Sequence, residues 1–306
     1  MSLVNKYINS NDFLTATAVY DDVNLTTLSP DGFYQFGGNY RQQLLGVLGS
    51  SSVCDVCYEP CGTGLVIPGG DTGLYNLTFN AGGTLADVGA IVVYFNPAQV
   101  PDGIRVLYNG VYYNKTSNET TGVIQSTSGV ADAFTILGDP AATCVPAPGT
   151  YSYDYFDGYT GATWDVGDPT PQDVTITAGD DQRGAAGLWS TLVIPKPLSL
   201  PNIVSVQVLG PCASTGWNLE VNCPADLESF NSSSNQGSST ACVTDDQRFY
   251  FARHRGFSNA LPVVTNFVFS DSNGVFPLAN GNYVMSDNNV ITVVNGVVTA
   301  IVACTP

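Results

Sequence analysis

The stretch Val19-Tyr20-Asp21-Asp22-Val23-Asn24, followed by Asp31-Gly32-Phe33-Tyr34, is answered near the other end of the chain. There the sequence reads Val268-Phe269-Ser270-Asp271-Ser272-Asn273 and then Asn280-Gly281-Asn282-Tyr283. One offset of 249 residues lays Val19 on Val268, Asp22 on Asp271, Asn24 on Asn273, Gly32 on Gly281 and Tyr34 on Tyr283. Self-similarity at a fixed distance marks a reused structural unit. Its chemistry fits a small β unit, in which a strand, a polar turn and an Asp-Gly or Asn-Gly step lead into a second strand. Two copies are too few for a solenoid, which needs about three repeats. The expectation is a pair of small modules bracketing a larger middle.

The rest of the composition agrees with an all-β chain. Of 306 residues, 44% are apolar, enough to build real cores, while only 11% are charged. With 32 Gly, 18 Pro and abundant Val, Tyr and Thr, strands and turns are favoured over helices. The net charge of −17 comes mostly from aspartate, and nine Lys and Arg cannot coat a polyphosphate. Nucleic acid is therefore not an expected partner, and neither is an anionic membrane surface. No apolar run reaches the ~18 residues needed to span a bilayer, so membrane insertion is not expected. The start, Met1-Ser2-Leu3-Val4-Asn5-Lys6, lacks the apolar core of a signal peptide.

Residues 1–50 hold the first module, whose tail Gln42-Gln43-Leu44-Leu45-Gly46-Val47-Leu48 has the length for a turn or two of helix. Residues 51–69 form a Cys/Gly-rich connector. The middle domain, 70–226, is dense in strand signals: Ala90–Phe95, Ile104–Tyr108, an Asn109-Gly110 hairpin into Val111–Tyr113, Val174–Thr177, Trp189–Ile194, Ile203–Val208 and Trp217–Val221. Such strands without intervening helices indicate a β-sandwich. Residues 227–241 read as a Ser-rich linker. The C-terminal module, 242–306, ends in an Asn295-Gly296 hairpin joining Ile291–Val294 to Val297–Ile301.

Candidate sites are few. Tyr151, Tyr153 and Tyr155 fall on one face of a strand, with Asp154, Asp157 and Trp164 nearby. Aromatic faces beside carboxylates suit stacking on a sugar, and an aromatic ladder packing on the core is the plainer alternative. Arg248, Arg253, His254 and Arg255 form a positive spot on an acidic chain. That spot suits docking to an acidic surface, or else a solvated strand with Phe249 and Phe251 turned inward. Cys54, Cys57 and Cys61 have a spacing that thiolate ligation of zinc could use, but the lone His254 lies far away, and disulfides or buried thiols are favoured. The acidic turns at Asp21-Asp22 and Asp271 lack the spaced carboxylates and distant Glu of a calcium loop. No nucleophile motif accompanies His254. No catalytic residue, metal or cofactor is expected.

Several phrases resemble β-rich virion proteins of tailed bacteriophages. They run Gly89–Pro97, Val100-Pro101-Asp102-Gly103-Ile104-Arg105-Val106 and Tyr108-Asn109-Gly110, then Ile194-Pro195-Lys196, Gly210-Pro211-Cys212, Thr215-Gly216-Trp217 and Cys223-Pro224. Their order is similar to a jelly-roll-like sandwich of phage appendage proteins, and the terminal modules are similar to short units recurring in tail-fibre-like proteins. The resemblance implies an all-β fold, with a central jelly-roll-like β-sandwich flanked by two small related β modules. It also implies a non-enzymatic virion protein, most simply a tail fibre or appendage, with a capsid decoration or head-fibre protein and a glycan-binding receptor module as alternatives. The implied partners are other virion proteins, copies of itself and a host surface glycan. The implied location is the virion, reached by assembly in the host cytoplasm.

Overall fold

A computed structural model describes residues 6–36, 39–53, 59–82, 88–118, 132–137, 144, 146–158, 168–177, 189–243 and 245–306. Every regular element among them is a strand. The described residues up to Val53 lie in one compact unit. Those from Glu59 to Asp157 and from Asp168 to Pro306 lie in a second.

In the first unit, β1 (Tyr7–Ile8) pairs with β2 (Val19–Tyr20). A second sheet follows, with β3 (Gly32–Phe36) on one edge of β4 (Asn39–Leu44) and β5 (Val47–Leu48) and β6 (Ser52–Val53) sharing the other. The helix expected at the tail of this module is therefore a hairpin. Leu45 and Gly46 take φ of 52° and 77°, the left-handed pair that a two-residue hairpin turn requires. Leucine is uncommon at such a position, which hid the turn.

The second unit opens with β7 (Glu59–Pro60), β8 (Thr63–Gly70), β9 (Gly73–Asn80), β10 (Gly89–Asn96), β11 (Asp102–Tyr108), β12 (Val111–Tyr113) and β13 (Ser117–Asn118). It continues with β14 (Phe134–Leu137), β15 (Gly149–Asp157), β16 (Asp168–Thr177), β17 (Ser190–Lys196), β18 (Ile203–Gly210) and β19 (Thr215–Val221). Five of these make an antiparallel sheet in the order β13-β17-β10-β19-β8. In the other sheet, β11 pairs with β18 on one edge and with β14 on the other. The strands β11, β18, β9, β15, β16 and β14 thereby close into a ring. Two of its contacts, β9 with β15 and β14 with β16, are parallel. Leu74, Phe134, Ile136, Val174, Ile176 and Leu209 pack together as one of its cores. Buried Trp217 contacts the rings of Tyr75 and Phe95. Alternation explains β19: Trp217, Leu219 and Val221 face inward while Asn218 and Glu220 are partly exposed.

The last module comprises β20 (Glu228–Ser232), β21 (Gln247–Ala252), β22 (Phe267–Phe269), β23 (Gly281–Val284), β24 (Asn289–Val294) and β25 (Val297–Ala303). They run in the order β20-β21-β22-β25-β24-β23, and a bridge from Ser232 to Met285 joins the two ends into a six-stranded barrel. Phe230, Phe251, Val268, Tyr283, Ile291, Val293 and Val298 fill it. The stretch expected to be a linker thus supplies a barrel strand. Its serines read as spacer material, yet Ser232 and Ser233 are buried and bonded: Ser232 Oγ donates to Val284 O, and Ser233 Oγ accepts from Val284 N.

Three disulfides staple the second unit: Cys61–Cys223, Cys144–Cys212 and Cys242–Cys304. The first breaks up the Cys54, Cys57, Cys61 triplet, because Cys61 is bonded to a strand-end cysteine 162 residues away. Cys54 and Cys57 lie outside the described residues.

Candidate functional site

The feature that sequence and structure single out together is the reused unit. In the first copy the Asp22 carboxylate accepts the backbone N–H groups of Asn24 (2.9 Å), Thr26 (3.2 Å) and Thr27 (2.6 Å). In the second the Asp271 carboxylate accepts those of Asn273 (3.0 Å), Val275 (3.1 Å) and Phe276 (2.7 Å), each 249 residues on. Desolvation opposes charge on Asp22, but these bonds outweigh it and hold its carboxyl below the usual range. The oxygens that a calcium loop would offer to a cation are thereby spent on the chain's own N–H groups.

The likeness continues bond by bond. Tyr34 donates its hydroxyl to Pro30 O, and Tyr283 donates to Ala279 O. Ser29 N donates to Val19 O, and Leu278 N to Val268 O. Asp31 Oδ2 accepts from Leu45 N, and Asn280 Oδ1 from Asn295 N. Here the offset has become 250, as the register also shows: Gly32 faces Gln43, but Gly281 faces Val293. The second copy carries one extra residue in the connection between its paired strands. Its closing turn, Asn295-Gly296, repeats the φ values of 52° and 77°.

The two copies differ in what covers them. Phe267, Phe269 and Val297 of the second copy pack on Ala90, Val92 and Val193 of the five-stranded sheet, with Leu227 between. Polar contacts fix the same seat: Tyr94 donates its hydroxyl to Arg253 O, and Lys115 donates its ammonium to Asn295 O. Val297 is 0% exposed. Its counterpart in the first copy, Val47, is 61% exposed, and Leu25, Leu28, Leu44 and Leu45 are exposed as well.

The two clusters singled out in the sequence are placed differently from one another. On β15, Tyr153 and Tyr155 pack against the core of the closed ring, while Tyr151 is exposed, donates its hydroxyl to Ala147 O and leans on Tyr153. A register shift falls between Tyr153 and Tyr155. The three rings therefore do not form one open platform. Trp164 lies outside the described residues.

Of the positive spot, Arg248 is exposed and donates to Ser229 Oγ. Arg253 pairs with Glu228 (3.2 Å), and Arg255 pairs with Glu220 (2.8 Å) while lying 4.1 Å over the ring of Trp189. His254 corrects the docking expectation. It is 2% exposed and bonded through its two ring nitrogens to the hydroxyls of Thr191 and Thr265. Burial pushes its pKa down to about 4, so at neutral pH it is an uncharged tie between the central sheet and the last module.

Sequence reading missed a buried carboxyl. Asp102 is fully enclosed, accepts the Thr215 hydroxyl at one oxygen and leaves the other without a protein donor. Burial raises its pKa well above the ordinary carboxylate range, against the lowering effect of the Thr215 hydroxyl. Among the described residues no cluster of His, Cys, Asp or Glu has the geometry of a metal site.

No protein-family model matches the sequence, and comparison with curated proteins and with solved structures returns no significant match.

Proposed function

We propose that the chain is a non-enzymatic structural protein of a tailed-bacteriophage virion, a tail-fibre or appendage component that assembles through β-rich contacts. The jelly-roll-like description of the middle domain belongs to this proposal. The observation that carries it is the duplicated capped module, with one copy seated on the chain's own central sheet and the other displaying the matching face open. A unit reused in this way acts as a connector: the same geometry that closes one junction within the chain is available for a second junction between chains. Three disulfides joining residues 62 to 162 apart suit a particle that must survive outside a cell. The strong negative charge suits surfaces that are packed in many copies without sticking to DNA.

The test is immunogold electron microscopy of purified particles with antibody to this chain. Label on the tail or its fibres is the expected result. Label spread over the head moves the assignment to a capsid decoration or head-fibre protein. Unlabelled particles, with the epitope shown to be accessible, overturn the virion reading.

A further inference from the structure

The comparison of the two copies exposes one open strand. In the second copy, the outer edge of β23 is sealed by the chain itself. Asn282 N donates to Gly237 O (2.8 Å) and Asn282 O accepts from Gln236 N (2.9 Å). Val284 N donates to Ser233 Oγ (2.9 Å) and Val284 O accepts from Ser233 N (2.8 Å). Residues 233–237 thus run along that edge and leave no free backbone groups at these two positions.

The counterparts of Asn282 and Val284 on β3 are Phe33 and Gln35. Both pair inward with β4, Phe33 facing Gln42 and Gln35 facing Tyr40. No described residue pairs with the other edge of β3. By the register of the second copy, the N–H and C=O groups of Phe33 and Gln35 point out along that edge. Where Asn282 is 7% exposed, Phe33 is 62% exposed and leans on Tyr40 at a ring separation of 6.0 Å. A strand edge of this kind templates another strand.

We infer that β3 is a self-association edge, and that its occupant is β3 of a second copy, running antiparallel across a two-fold axis near Tyr34. Charge selects this occupant. The chain carries −17, so two copies repel over most of their surfaces, with a screening length of about 8 Å at physiological salt. Gly32-Phe33-Tyr34-Gln35-Phe36 has no charged residue, and the adjacent Asp31 is occupied by the N–H groups of Leu45 (2.7 Å) and Gly46 (3.1 Å). A two-fold contact brings the same neutral strand from both sides and keeps the acidic remainder apart. The exposed Phe33 ring then adds apolar contact on the sheet face beside the new ladder.

Sedimentation velocity of the full chain over a concentration series tests this. The wild type is expected to form a dimer that dissociates on dilution. Gln35→Pro removes one outward N–H without touching the bonds to β4, and Phe33→Asp places a charge at the contact with the backbone intact. Each is expected to weaken the dimer by at least about tenfold in dissociation constant, with the far-ultraviolet circular dichroism unchanged. If Gln35→Pro disturbs the fold, Phe33→Asp decides alone. A wild type that stays monomeric at ~100 μM overturns the inference, since a functional dimer contact should be visible well above micromolar dissociation constants. A dimer that persists in folded Phe33→Asp overturns it equally. None of these outcomes depends on where the chain sits on a particle, so this test and the labelling experiment fail independently.

Discussion

The two copies of the module keep the same turn chemistry around opposite interiors. In the second copy, the inward positions of β24 are Ile291 and Val293, both fully buried among apolar neighbours. In the first copy the matching positions of β4 hold Arg41 and Gln43, and both are buried too. The Arg41 guanidinium donates to Phe13 O (2.7 Å), Ala16 O (2.6 Å) and Gly49 O (2.7 Å). Gln43 accepts from Val19 N (2.6 Å) and donates to Ser29 O (2.7 Å). One core is wholly apolar, while the other joins a small apolar cluster of Phe13, Ala16, Val19 and Leu48 to a polar hub that satisfies loop carbonyls. Burying an arginine is tolerable because its N–H groups find acceptors in the loop backbone. The shared fold therefore lies in the capped loop and its hairpin, and the interior is free to diverge.

The second copy has two further supports that the first lacks among the described residues, and removing them measures how much of the difference they carry. Cys242–Cys304 closes a 62-residue span across the last module. Replacing both cysteines by serine is expected to cost about 4 kcal/mol in the unfolding of that module, through the added freedom of the unfolded chain. Hydrogen exchange of residues 265–303 should accelerate, while residues 19–48 stay unchanged. Equal acceleration in both regions would show that the staple acts on the whole molecule rather than on the second copy.

The next effect is acid sensitivity of the second copy alone. His254 is neutral when folded, with its pKa lowered from 6.5 to about 4 by burial, whereas the unfolded chain takes up its proton near 6.5. Stability from this group is thus complete above pH ~6.5 and falls as the pH drops towards 4, by about 3 kcal/mol in total. Thermal melts of wild type and His254→Gln across that range should converge as the pH falls. A wild-type pH profile parallel to that of His254→Gln would remove His254 as the cause.

Much of this architecture was legible in the residues. Asp22 with Asp271 and Tyr34 with Tyr283 sit in matching contacts because a capped loop tolerates little change. The strands from Ala90 to Val221 show as apolar runs for a related reason: each buries a face. Three things stayed hidden. The closing turn of the first copy has Leu45 where the second has Asn295, so its hairpin carried no Asn-Gly signal. Ser232 and Ser233 become barrel residues only through Val284, some 50 positions on, and local composition cannot reveal that. The closed ring rests on β11 meeting both β14 and β18, and single-strand patterns do not specify which edges meet. Within the positive spot only His254 leaves the surface, because Thr191 and Thr265 offer it a buried polar seat.

Loss of the loop cap strikes the element that both copies share. Asp271→Ala leaves three loop N–H groups without their acceptor and is expected to cost about 1–2 kcal/mol, with Asp271→Asn costing less because one oxygen remains. Asp22→Ala removes the same three bonds from an exposed loop, where water can replace them in part. Its signature is local: faster exchange at Asn24, Thr26 and Thr27 with little change in the global melt. In the second copy the loop is seated on the central sheet, with Gly274 so close that an added Cβ would lie 2.9 Å from Val193. Loss of the Asp271 cap should therefore spread to Val297 and Phe269, and exchange there should rise together with that of the loop. If both variants give only local changes, the seat on the sheet does not depend on the capped loop, and the module's two roles as a turn and as a connector are separable.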